Sequence, residues 1–154
     1  MIDPVLLAEV TLPVGHPRGG EQCPVFGFVV WHRDGPVLVH TGVGQGDDAV
    51  DELFAPSHHP IDDALAERAI RREDVVMIIN HSHLHFDHCG NNRSFAGIPM
   101  VVQRIEYELA HERRYTIPQW INSVQLEHPV LQSSPGTVPE LANERLPNPT
   151  GHCL

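Results

Sequence analysis

From Asn80 to Gly90 the chain reads Asn-His-Ser-His-Leu-His-Phe-Asp-His-Cys-Gly, which puts four histidines and an aspartate within eight positions. No other stretch constrains the molecule as strongly, because polar groups packed this densely must be either solvated or given partners. In extended backbone, residues two apart project to the same side. His83 and His85 can then aim both imidazoles at one point, whereas a helix would separate them around its axis. A strand end or a loop is therefore the expected setting. Asp87 continues this parity and His88 reverses it. One ion can sit on His83 and His85, and a second on the Asp87/His88 corner if the chain bends there. Imidazole and carboxylate donors suit zinc and other divalent metals of similar hardness. The bland alternative is a solvated, histidine-rich loop, in a chain that holds 12 histidines.

A chain of 154 residues is long enough to bury a core as one domain, and 41% hydrophobic with 19% charged residues describes a globular rather than a disordered sequence. The formal net charge of −10 argues against a binder of nucleic-acid backbones, which needs a basic surface. Cys23, Cys89 and Cys153 are odd in number, widely spaced and free of any Cys-x-x-Cys pair, so they indicate neither a disulfide framework nor a thiolate zinc knuckle. A reducing cytoplasm fits them. The start, Met1-Ile2-Asp3-Pro4, lacks the features of a signal peptide, and no apolar run reaches membrane-spanning length.

Residues 5–12 are apolar and β-tolerant and close at Pro13, which predicts a strand; residues 14–22 are loop. Residues 24–31 and 36–40 flank Asp34-Gly35 and predict a hairpin. The Gly-rich run 41–48 lacks the spacing and lysine of a phosphate-binding P-loop, which favours a tight turn beside the site. Pro60 is expected to open a helix with Ile61, Leu65, Ala69 and Ile70 on one face, and Asp62 and Asp63 in its first turn. His58 and His59, just before it, are expected in an exposed loop. The unbroken apolar run 75–79 predicts a central strand buried on both faces. The histidine stretch starts where that strand ends, the usual place for sites on a rigid scaffold. A turn at 90–92, a short strand at 99–102 and a helix at 105–112 follow, and Tyr115, Ile117, Pro118 and Trp120 read as a packing lid. Five prolines from Pro129 onward mark 129–154 as an irregular tail, leaving 1–128 as the folded part.

Residues 82–90, Ser-His-Leu-His-Phe-Asp-His-Cys-Gly, resemble the signature of the metallo-β-lactamase superfamily in the form typical of N-acyl-homoserine lactone lactonases. The similarity extends to residues 36–39 with Thr41-Gly42, to Val102-Gln103 with Glu106-Tyr107, and to residues 115–120, and covers roughly residues 24 to 121. It implies an α/β fold with a mixed sheet, the αββα sandwich of that superfamily, of which this chain would hold the N-terminal half. It also implies two zinc ions, with His83 and His85 on the first and Asp87 and His88 on the second. A hydroxide bridging the ions would attack a lactone or ester carbonyl, and Asp87 would pass a proton to the leaving alkoxide.

The sequence departs from this pattern in two places. His40 stands where the resemblance implies an aspartate, and an imidazole cannot supply that permanent negative charge. The chain also stops before the second half that would bring the remaining ligands. His152, in Thr150-Gly151-His152-Cys153, faintly resembles the next histidine motif, while His81 and His128 read as neighbours of the site or as surface residues. Half of a two-sheet sandwich would expose one sheet face, which a homodimer could cover. Two functions therefore compete: a metal-dependent lactone or ester hydrolase, and a truncated, catalytically inactive remnant that binds metal or a partner.

Overall fold

The computed structural model describes residues 1–80 and 83–111. Six strands form one mixed sheet in the order β4-β1-β2-β3-β5-β6: β1 (Ile2–Thr11), β2 (Gln22–His32), β3 (Gly35–Val39), β4 (Ser57–His58), β5 (Met77–Asn80) and β6 (Met100–Val102). The helices are α1 (Asp48–Phe54), α2 (Ile61–Ala66), α3 (Phe86–Cys89) and α4 (Arg104–His111). β1 pairs antiparallel with β2 and β4, and β2 with β3, while β3–β5 and β5–β6 are parallel. This is the mixed α/β architecture expected from the sequence. No helix among the described residues is long and apolar enough to cross a membrane.

The β2–β3 hairpin forms where Asp34-Gly35 predicts it, with His32 opposite Gly35. Gly35 adopts φ +135°, and a Cβ there would meet Val76 Cγ1 at 2.5 Å, so both backbone and space require glycine. β2 alternates from Gln22 to Val29. Cys23, Val25 and Val29 are buried on one face, and Phe26 and Phe28 remain 43% and 37% exposed on the other. α2 covers the buried face through Ile61, Ala64 and Leu65, which pack with Val5, Leu7, Val29, Leu38 and Ile78. Farther along the same face, Val50 and Phe54 of α1 and Phe86 of α3 pack with Ala8, Val10, Cys23 and Val25. β1 serves both clusters because its register shifts between Leu6 and Ala8.

Four expectations need correction. α1 was not foreseen; Asp47 caps it, its side chain accepting from the Ala49 and Val50 amides. His58 is not in a loop but in β4, opposite Ala8 of β1, with its Nε2 4.0 Å from Asp51; His59 is exposed. α2 stops at Ala66, short of Ala69 and Ile70. Ala69 turns left-handed (φ 54°) and donates to Ala66 O at 2.9 Å while Ile70 N–H donates to Leu65 O at 3.1 Å, a Schellman-type closure that still buries Ile70. β5 lies inside the sheet, yet only Ile78 and Asn80 are buried, whereas Met77 and Ile79 are half-buried. Its second face is only partly covered. The expected packing lid, the boundary at 128/129, and His81, His128 and His152 lie outside the described residues.

Candidate metal centre

The histidine stretch follows β5 at the C-terminal end of the parallel strands, and two loops are joined there. The loop after β3 meets the loop after β5 through Thr41 N–H to His88 O (2.8 Å), Gly90 N–H to Gly42 O (2.7 Å), and the Asn91 side-chain amide to Thr41 O and Val43 O (both 2.8 Å). Gly44 and Gly90 touch so closely that a Cβ on either would overlap the backbone of the other. Beneath them, Asn92 Oδ1 accepts from Thr41 Oγ1 (2.9 Å) and from Asn80 Nδ2 (3.2 Å), and Thr41 and Asn80 are fully buried. The Gly-rich run is thus a loop packed directly against the site.

On this base, residues 83–85 run outside any helix, His85 is extended (φ −86°, ψ 163°), and the chain then closes into the single turn α3. The bend turns Asp87 back toward the histidines. Side-chain ligand atoms of His83, His85 and Asp87 all lie within 4.8 Å of one another. A tetrahedral zinc ion with bonds of about 2 Å holds its ligand atoms roughly 3.3 Å apart, so small side-chain rotations would close the set on one ion. The His83 and His85 rings stand edge to face with centroids 4.1 Å apart. His88 falls outside this trio but adjoins it, its Nε2 3.4 Å from Asp87 Oδ2 and its ring 4.3 Å from that of His83.

The protonation chemistry of the trio suits a cation. Burial pushes His85 down to about 4, with His83 adding to the effect and Glu106 opposing it; burial also lowers His83. Both rings are therefore held in the neutral, ligating form. Asp87 is 7% exposed, and burial raises its carboxyl from 3.8 to about 6. Its Oδ1 is buried with no hydrogen-bond partner, an anionic oxygen that a divalent ion would satisfy. Cys89, in the same turn as Asp87, lies outside this group: its thiol donates to His85 O at 3.0 Å, and burial raises its pKa.

His40 is the neighbour whose place the sequence left open. It leaves β3 with φ 63°, donates its amide to Ile79 O at 3.0 Å, and sits 6% exposed with its ring 4.5 Å from that of His88. The Thr41–Asn80–Asn92 network was not foreseen. Its sequence signal is only that Asn80, a polar residue, follows an apolar strand.

A mixed sheet with two neutral imidazoles and a buried carboxylate gathered beyond the end of β5 defines an α/β protein with a candidate cation-binding centre at a strand end. The sequence pattern of the metallo-β-lactamase superfamily matches residues 20–152, and the chain belongs to that superfamily. An N-acyl homoserine lactonase of Bacillus cereus is 32% identical over 110 residues, covering 64% of this chain and 44% of the relative; one from a Bacillus species is 34% identical over 105 residues, covering 60% and 42%. Among solved structures, an N-acyl homoserine lactone hydrolase with the product N-hexanoyl-L-homoserine bound at its catalytic metal centre superposes with a TM-score of 0.65 at 25% identity, over 88% of this chain and 62% of that one. A quorum-quenching N-acyl homoserine lactone hydrolase gives 0.62 at 28%, over 83% and 54%. The chain spans less than half the length of these curated relatives.

Proposed function

We propose that this chain carries the metal-binding part of a hydrolase that opens lactones or related esters, N-acyl homoserine lactones being the first substrates to try. The observation that carries the reading is the convergence of His83, His85 and Asp87 on one point, with Asp87 Oδ1 buried and unpartnered. His83, His85, Asp87 and His88 are the residues we assign to zinc, two ions in a complete site. A bound divalent ion would supply Lewis acidity and a water that ionises near neutral pH. The chain's own share is to present two neutral imidazoles, to hold Asp87 by the α3 turn, and to brace that turn through the Gly42–Gly90 and Thr41–Asn92 contacts. Asp87 is also the group we assign to proton transfer toward the leaving alkoxide oxygen.

The test is hydrolysis of a panel of N-acyl homoserine lactones and simple esters by zinc-loaded chain. Turnover that falls at least about 100-fold in His83→Ala and Asp87→Asn supports the reading. Zinc-replete chain that leaves the whole panel intact contradicts it and favours the second reading, a metal-binding module without catalysis. That alternative draws on His40, whose ring packs 4.5 Å from that of His88.

A further inference from the structure

Asn80 is the last residue of β5, just ahead of the histidines. It is fully buried, its Oδ1 has no hydrogen-bond partner among the described residues, and its Nδ2 donates to Asn92 Oδ1 at 3.2 Å. The same Asn92 oxygen accepts from Thr41 Oγ1 at 2.9 Å. Thr41 in turn holds the other half of the centre. Its N–H donates to His88 O at 2.8 Å, and its Oγ1 accepts from Asn91 N–H at 3.2 Å. One buried side-chain oxygen therefore ties the strand end that leads into His83 and His85 to the loop that holds the turn carrying Asp87 and His88. The Thr41 hydroxyl is used in both senses, donating one bond and accepting another, which an apolar side chain of the same shape cannot do.

We infer that Thr41 and Asn92 are positioning residues of the candidate centre, their hydrogen bond setting the spacing between the His83–His85 pair and Asp87 and so the hold on a divalent cation. The inference rests on the metal reading above and deepens it. Ligand sets perform when held to within about 0.5 Å of the productive geometry. The ligand atoms of His83, His85 and Asp87 lie within 4.8 Å of one another and draw closer on an ion, so the two segments that carry them need a common base that does not slide. Thr41 is fully buried and Asn92 is 7% exposed, so solvent does not compete for the bond between them. Groups that orient ligands from outside the ligand set commonly contribute about 10–100-fold in metal affinity.

The experiment measures zinc affinity of the full chain by competition with a chromophoric chelator, and the visible spectrum of its cobalt(II) form, for wild type, Thr41→Val, Thr41→Ser, Asn92→Ala and the control Val5→Ala. Val5 is buried on β1, which β2 and β3 separate from β5, so its truncation lowers stability at a distance from the network. Melting of the metal-free proteins shows which variants are folded at the assay temperature. The expected result is a loss of about 10-fold or more with shifted cobalt bands in Thr41→Val and Asn92→Ala, and a change under about threefold with wild-type bands in Thr41→Ser and Val5→Ala. Affinity within about threefold of wild type in folded Thr41→Val and Asn92→Ala, or a loss in Val5→Ala as large as theirs, overturns the positioning role. So does a loss in Thr41→Ser equal to that in Thr41→Val. If only one of Thr41→Val and Asn92→Ala folds, it carries the comparison; if neither folds while Val5→Ala does, the network is structural and the inference falls. Wild-type chain that binds neither ion overturns the metal reading and this inference together.

Discussion

Asp87 is the residue on which folding and function pull in opposite directions. Burial holds its carboxyl at about 6, against an ordinary 3.8, so the metal-free folded chain binds that proton more tightly than the unfolded chain does. The stability this contributes is fully present below 3.8 and is lost as pH rises through about 6. At pH 7 the ionised, buried carboxylate, whose Oδ1 has no hydrogen-bond partner, costs up to about 3 kcal/mol. His85 has the opposite sign: its depressed value contributes stability present above 6.5 and lost as pH falls through about 4. Metal-free Asp87→Asn should therefore melt several degrees above metal-free wild type at pH 7, with the gap closing as pH falls from 6 toward 4. Zinc should reverse the order, because only wild type offers the carboxylate. Calorimetry across that pH range, with and without zinc, checks both signs, and a metal-free variant less stable than wild type at pH 7 would refute the account of Asp87.

Among the elements, α2 shows where local sequence and tertiary packing part company. Its apolar spacing from Ile61 to Ile70 reads as one helix, but the chain reverses at Ala69, in a conformation that alanine adopts only at a cost of about 1 kcal/mol. Glycine is the residue that normally signals such a stop, and its absence hid the helix end. Ala69→Gly should stabilise the chain by roughly 0.5–1 kcal/mol, visible as a higher urea midpoint at unchanged slope, while a lower midpoint would mean the left-handed turn is not the native one. Where the coding residues are of the expected type, the sequence was readable. Asp34-Gly35 marks the hairpin, and the alternation of His83 and His85 marks a strand end with convergent imidazoles. α1 was hidden because its cap, Asp47, sits at the end of a Gly-rich run that reads as continuous loop. β4 was hidden because two residues carry no periodicity. The partner loop at 41–44 and the Asn80–Asn92 bond depend on contacts more than ten residues apart, which no local pattern encodes.

At the scale of the whole molecule, the sheet has two unlike faces. One is sealed by α1, α2 and α3. The other presents Phe26, Phe28 and Val101, the last 46% exposed, in a chain of net charge −10. The candidate centre lies at the end of β5, where the backbone leaves the sheet and polar side chains can gather without interrupting the core. Superfamily membership follows from the match over residues 20–152 together with this sheet. Activity is a separate matter that depends on the centre itself. Its most direct test is the zinc content of purified chain after dialysis against a mild chelator, with a melt over a zinc titration. At least one ion should be held per chain, the melting temperature should climb with zinc, and both should be lost in His83→Ala/His85→Ala. Wild-type chain that emerges metal-free and melts at the same temperature at every zinc concentration would contradict it.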